Sequence, residues 1–514
     1  MRFISKINLS TILVILLIAF LFFLPDTIGY LKSDTQHKYS GNSYTWDPWD
    51  VNVYVSVIKY SQINGFKYKN LFTTQAGDNK TIVYPIYTLF GTLFRTTNPF
   101  ILYNISTLLF VPFLLVSIYY FTKTLSSSHK TALLSTLTAA FAGGFGWLVY
   151  GFGINSADLT VTPFMLLNVF QRPHATLSLS LYILSLSFFY KFTKSMRFKY
   201  ITLSTLLFFF SGYIYPYLYL SYAIVVLSFA VAIYLKNKYL PYLVKTILSL
   251  TFLGLCGGTY ALYILNAKGL ESVLSPSLNT PVFVSFLLGC GIFIIPFVTE
   301  IKKIRSDNSF LFIYFLISSQ IILAYLPFGF ARYYLLGIFI PLSFLTASFL
   351  ESLPHGIRKV IAILFLTASF FTSFFIQLDR VLKVQNMLSP YYWNSNDLAA
   401  LDFLQKNYPK NIVATYPFSN YIPAISGNSV YFGHYFQTPN SVEKIAELTS
   451  FFNNKMSENE ARSFLNSNNI DFVVWKNESE LWSQFPRLDK PSYRSIKEVF
   501  KNQQVVIWKV ERED

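Results

Sequence analysis

Long apolar runs separated by short polar loops dominate the first three quarters of the chain. The first covers 7–24. Further runs follow at 99–122, 131–152, 174–193, 198–213, 214–235, 242–265, 281–300, 309–328, 331–350 and 358–378. Most approach the roughly 20 apolar residues that a helix needs to cross a hydrocarbon core, with 198–213 the shortest. A cleaved signal peptide would end on small residues. Here Phe22-Phe23-Leu24-Pro25 closes the first run, so it reads as a retained helix. The pattern predicts a polytopic α-helical membrane domain over residues 1–378 with about eleven spans. Within it, 25–98 forms one long polar loop. In that loop 52–63 and 81–94 carry patchy helical periodicity and are expected to lie on the membrane surface as amphipathic helices.

From Asp379 the pattern becomes that of a water-soluble domain. Amphipathic helices are predicted at 397–407, 441–452 and 458–466, and short apolar strands at 412–416, 429–432, 471–475 and 504–510. Helices alternating with strands predict a small α/β domain over 379–514 with a largely parallel sheet.

Composition agrees with the membrane reading. Hydrophobic residues make up 53% of the chain and charged ones 13%, about half the usual soluble share. The net charge of +16 raises the question of a nucleic-acid partner. Residues 379–514, however, hold 15 basic and 15 acidic residues, which leaves 26 of the 41 basic and 10 of the 25 acidic in the membrane half. Loops assigned to the cytoplasm carry 16 basic against 3 acidic residues, and the opposite loops 10 against 7. That asymmetry is the positive-inside bias. It puts the N-terminus in the cytoplasm and, after eleven spans, the C-terminal domain outside it. No nucleic-acid partner is expected. The two cysteines, Cys256 and Cys290, sit inside apolar runs, with no disulfide framework and no CxxC metal pattern.

The first loop carries the densest chemistry, Trp46-Asp47-Pro48-Trp49-Asp50. Two carboxylates flank a proline, which argues for a turn, and a carboxylate near a membrane surface can take a proton from an attacking hydroxyl. Asp78, in the turn Gln75-Ala76-Gly77-Asp78, adds a third. Several other polar residues fall at the outer ends of spans, where ionisable groups are costly and so functional candidates. Gln171-Arg172-Pro173-His174 opens the fourth span, Arg332 the tenth, and Tyr213, Tyr215 and Tyr217 surround Pro216 between the fifth and sixth. Arginine forks suit phosphate, so Arg172 and Arg332 with His174 are candidates to hold a lipid phosphate. Each has a plainer role to weigh against this, as headgroup anchor or helix cap. Asp158 reads as a turn residue and His434 as a loop histidine able to reach the same place. Five histidines form no ligand pattern, although a carboxylate pair can hold one divalent cation.

At these residues the chain resembles the GT-C superfamily of polytopic glycosyltransferases. The likeness lies in the acidic motif Trp46-Asp47-Pro48-Trp49-Asp50, its continuation Val51-Asn52-Val53-Tyr54, and Tyr84-Pro85-Ile86-Tyr87 at the loop's end. It extends to Gly143-Gly144-Phe145-Gly146-Trp147, Arg172-Pro173-His174, Tyr431-Phe432-Gly433-His434 and Asp471-Phe472-Val473-Val474. The resemblance implies transfer of a sugar from a polyprenyl-phosphate donor to a lipid, glycan or protein acceptor outside the cytoplasm, with inversion. It implies a first-loop acid as general base, best matched by Asp50 or Asp47. Substrate contacts would come from Asp78, Tyr84, Arg172, His174, Tyr215 and Arg332. The adjacent acid pair of several GT-C branches is absent here, so the choice between Asp47 and Asp50 stays open, with Asp50 favoured. Two other functions fit the layout less well. A lipid-linked glycan ligase or polymerase would place its largest outer loop late in the chain. A transporter would show duplicated halves with charge at mid-membrane.

Overall fold

The computed structural model describes residues 8–44, 47–75, 81–266, 280–327, 330–387, 390–477 and 488–512. Among them, nine helices are long and apolar enough to cross a membrane, beginning with Leu9–Lys32 and ending with Gly356–Gln385. Two further apolar helices, Phe198–Ile214 and Asn308–Ala324, have 17 residues each and fall short of that length. The protein is a multi-pass membrane protein. Its first helix runs past Pro25 to Lys32, beyond the apolar run that announced it.

The described chain forms two compact units. One comprises residues 1–25, 105–261 and 277–381, and the other 26–104, 262–276 and 382–514. The first is the helical bundle. Several of its buried hydroxyls bond within a helix or between helices. Ser178 and Ser211 each donate to the other's carbonyl at 2.8 Å, and two turns further along Ser185 and Ser204 do the same. These reciprocal bonds hold Pro173–Ser195 against Phe198–Ile214 with no orphaned hydroxyl at the contact. Asp158, expected in a turn, is fully buried in the loop region between spans. It accepts N–H bonds from Gly144 (2.8 Å) and Gly146 (3.2 Å) and a hydroxyl bond from Ser156. Burial pushes its carboxyl above the usual range, and these bonds work against that shift.

In the second unit, strand β1 (His37–Tyr39) of the long loop pairs antiparallel with β2 (Tyr392–Asn394). The remaining strands are β3 (Asn411–Ala414), β4 (Ser429–Val430), β5 (Phe472–Lys476), β6 (Ile496–Lys501) and β7 (Val505–Val510), in the sheet order β4-β3-β5-β7-β6. Pairs β3–β4 and β3–β5 are parallel, whereas β5–β7 and β7–β6 are antiparallel. The sheet is therefore mixed rather than largely parallel. β6 was not foreseen because Ile-Lys-Glu-Val-Phe-Lys alternates apolar and charged residues as an edge strand does, and lacks an apolar run.

The long loop contributes two helices to this unit, Pro48–Asn64 and Pro85–Leu93. Pro48–Asn64 is not the surface amphipath expected, whereas Pro85–Leu93 buries only Tyr87, Thr88 and Gly91. Thirteen of the 17 residues of Pro48–Asn64 are buried, against Pro85–Leu93 and the Phe418–Ser426 helix. Gly91 makes the first contact close, since a Cβ there would run into the Ile58 carbonyl. Trp49 makes the second, its ring 5.7 Å from those of both Tyr416 and Tyr421.

Candidate active site

Pro48 does not break the acidic motif into a turn but starts a helix. Proline is tolerated at the first helical position, where its missing N–H would have no partner anyway. Asp47 becomes the N-cap, and Asp50 falls in the first turn. One helical turn thus brings the two carboxylates close together, at the end of a helix that favours negative charge.

The third member of the group comes from the C-terminal part of the same unit. His434 Nε2 lies 3.2 Å from Asp50 Oδ1, and the imidazole is almost fully buried. Its Nδ1 accepts the backbone N–H of Phe436 at 3.2 Å. A nitrogen that accepts carries no proton, so in the neutral ring the proton is on Nε2 and is donated to Asp50. The Phe72 ring packs edge-on at 5.9 Å. Gly433 is required just before His434, because a Cβ there would lie 2.7 Å from Val430 Cγ2 and 3.0 Å from Phe72 Cδ1.

Beneath the pair runs a buried amide relay. Asn52 Nδ2 donates to Asn420 Oδ1 (2.6 Å), and Asn420 Nδ2 donates to the Gly433 carbonyl (2.7 Å). It ties the helix that carries Asp50 to the turn that carries His434. Around it, loop residues 70–73 are fastened to the same turn. Val430 N–H bonds Leu71 O, the Thr438 hydroxyl bonds Phe72 O, and Lys444 Nζ reaches Thr73 Oγ1 at 3.2 Å. Burial brings the Lys444 ammonium down to about 8.

Asp47, Asp50 and His434 each offer a ligand atom within 4.8 Å of the others, close enough to share a cation. The two carboxylates suit a divalent ion. His434 suits it less well, because ligation through Nε2 would move the ring proton to Nδ1, against the Phe436 N–H.

Of the other candidates, Asp78 lies outside the described residues. Tyr84 caps the Pro85–Leu93 helix with a left-handed backbone and meets Tyr54 edge-on at 5.5 Å, beside Tyr87 and Tyr103. Arg172, His174, Tyr215 and Arg332 come together in the other unit. Arg172 caps the Pro173–Ser195 helix, and the buried His174 ring lies 5.8 Å from that of Tyr215. Tyr217 stacks on Tyr333 at 4.7 Å, with the Arg332 guanidinium 5.7 Å from the Tyr333 centroid. Burial pushes the Tyr215 hydroxyl well above its usual value, while the charges of Arg172 and Arg332 pull it back. Asn420 was not singled out from the sequence. Nothing in Phe418-Ser419-Asn420-Tyr421 marks a buried amide as a link between distant segments.

No protein-family model matches the sequence, and no curated protein matches it. Solved structures do. The chain aligns with the apo oligosaccharyltransferase of Archaeoglobus fulgidus at a TM-score of 0.53 and 14% identity, over 91% of this chain and 69% of that one. The oligosaccharyltransferase AglB from the same organism, in complex with an inhibitory peptide and a dolichol-phosphate, aligns at 0.52 and 12%, over 89% and 69%. ArnT from Cupriavidus metallidurans bound to undecaprenyl phosphate aligns at 0.50 and 8%, over 98% of both chains. At such identities the likeness concerns the fold, and that fold is the GT-C fold of membrane glycosyltransferases.

Proposed function

We propose that this GT-C-fold protein is a glycosyltransferase that moves a sugar from a polyprenyl-phosphate-linked donor to an acceptor hydroxyl outside the cytoplasm. The observation that carries this reading is the meeting of Asp50 with His434 beside Asp47 in a unit built from the long loop and the C-terminal segment. The bound dolichol-phosphate and undecaprenyl phosphate of the structural neighbours make a lipid phosphate the natural donor class. In this reading the N-terminus is cytoplasmic and the C-terminal domain lies outside, an orientation that the charge asymmetry of the loops supports.

The reaction is a single displacement. Asp50 removes the proton from the acceptor hydroxyl as that oxygen bonds to the anomeric carbon, and the bond from this carbon to the phosphate oxygen breaks on the opposite side. Configuration inverts, and negative charge grows on the departing lipid phosphate. Arg172 and Arg332, with His174 and Tyr215 in the other unit, are groups chemically suited to bind a phosphate. The His434 Nε2–H holds the plane of the Asp50 carboxylate, and the relay through Asn420 fixes the histidine's backbone. No step requires a metal. A divalent cation between Asp47 and Asp50 would compete with the proton-accepting role, since it draws on the same oxygens.

The test is transfer of radiolabelled sugar from a panel of polyprenyl-phosphate sugars by the purified protein. Asp50→Asn is expected to lower the rate by about 10²-fold or more. Full transfer retained by Asp50→Asn, Asp47→Asn and the double variant would refute the general-base assignment.

A further inference from the structure

The turn after β4 ends in a pair of exposed rings. Tyr431 and Phe432 are buried, and Gly433 and His434 follow. Tyr435 and Phe436 then emerge with 48% and 38% of their surface exposed. The two rings meet edge to face, with centroids 5.3 Å apart and planes at 85°, which makes a right-angled corner. The Phe436 ring lies 6.4 Å from that of His434, whose Nε2 bonds Asp50. The corner is thus one imidazole away from the carboxylate assigned as base. Several backbone groups of the turn are already occupied. The N–H groups of Gly433 and His434 point to Thr438 Oγ1, and the His434 carbonyl accepts from Gln437 and Thr438. What the turn most exposes to a ligand is its rings.

We infer that Tyr435 and Phe436 form a stacking shelf for a pyranose ring of the acceptor. This rests on the transfer reaction proposed above and deepens it, by choosing a glycan acceptor over a lipid or a peptide. One face of a pyranose is a patch of C–H groups, which complements the negative face of an aromatic ring, while its hydroxyls point sideways to polar partners. A general base must lie within hydrogen-bond reach of the hydroxyl it deprotonates, so the acceptor sugar has to sit close to Asp50. A peptide acceptor would seek free backbone donors and acceptors along an extended strand, and this turn has spent those named above internally. The shelf is also tied to the chemistry mechanically, because the backbone N–H of Phe436 is the group that fixes the His434 tautomer.

The test measures binding separately from turnover. Saturation-transfer NMR on the full-length protein in detergent, with a panel of methyl glycosides and disaccharides, gives a Kd for each. At least one saccharide is expected to bind saturably. Phe436→Ala and Tyr435→Ala should each weaken it about tenfold, a loss of about 1.4 kcal/mol. Phe436→Trp, which keeps an aromatic face, should retain binding, and so should Asp50→Asn. Binding that survives in Asp50→Asn and is lost in Phe436→Ala supports the shelf even where no transfer is found, so the two readings fail independently. A second arm adds a polyprenyl-phosphate sugar. Displacement of the saccharide by it would assign the shelf to the donor and overturn the acceptor assignment. Absence of saccharide binding to the wild type, or equal binding by the wild type and both alanine variants, would overturn the shelf.

Discussion

The amide relay makes a quantitative prediction. Asn420→Ala removes an acceptor from the buried Asn52 amide and a donor from the Gly433 carbonyl, leaving two polar groups without those bonds in a fully buried place. Each group so stranded costs about 1–3 kcal/mol, so the local cost is about 2–6 kcal/mol. If the helix carrying Asp50 opens together with the His434 turn, amide exchange in both should accelerate by roughly 30- to 25,000-fold. Hydrogen-exchange mass spectrometry of peptides covering 48–64 and 430–438 reads this directly in the full-length protein. Asn52→Ala strands only the Asn420 oxygen, and the double variant only the Gly433 carbonyl. The two singles should therefore cost more together than the double by two stranded groups, about 2–6 kcal/mol. Transfer should fall with kcat rather than KM, by up to about 10²-fold for a displacement of roughly 1 Å at His434. Unchanged protection in Asn420→Ala, together with unchanged transfer, would refute the claim that this relay sets the Asp50–His434 geometry.

Other consequences can be checked in the same preparations. Lys444 titrates near 8 in the folded protein and near 10.5 when unfolded, so the unfolded chain binds the extra proton between these values. The stability of the wild type relative to Lys444→Met should therefore rise as pH goes from 8 to 10, read from thermal midpoints, and a pH-independent difference would contradict the buried placement. Arg332→Gln should lower transfer by about tenfold or more if the arginine stabilises the leaving phosphate, with Arg332→Lys recovering part of it; equal rates in all three would remove Arg332 from the reaction. Because His434 donates its Nε2 proton to Asp50, treatment with EDTA is expected to leave the rate within about twofold of the untreated protein, on the ordinary scale of a group not engaged with metal. A rate lost on chelation and restored by a divalent ion would show that the carboxylates work through a cation.

The helices were legible because a lipid environment leaves a chain little choice. A run such as 99–122 must bond its own backbone internally, so apolar length alone announces a helix, here Pro99–Ser126. The acidic motif was legible as two carboxylates three residues apart, which local chain geometry alone keeps near each other. The sequence could not show what those carboxylates meet. Periodicity tells which face of a segment is apolar but not which segment will cover it. The patchy pattern of 52–63 therefore looked like a surface helix, although Phe418–Ser426 and Pro85–Leu93 bury it. Asn52 and Asn420 are 368 residues apart, and β1 finds its partner only at Tyr392–Asn394. Proline at 48 was compatible with either a turn or a helix start, and packing of Trp49 between Tyr416 and Tyr421 accompanies the second. The sequence by itself determined the membrane-spanning character and the kind of chemistry available. Only the tertiary structure decided that Asp50 faces a histidine, because such a partner is chosen by the packing of segments far apart in the chain.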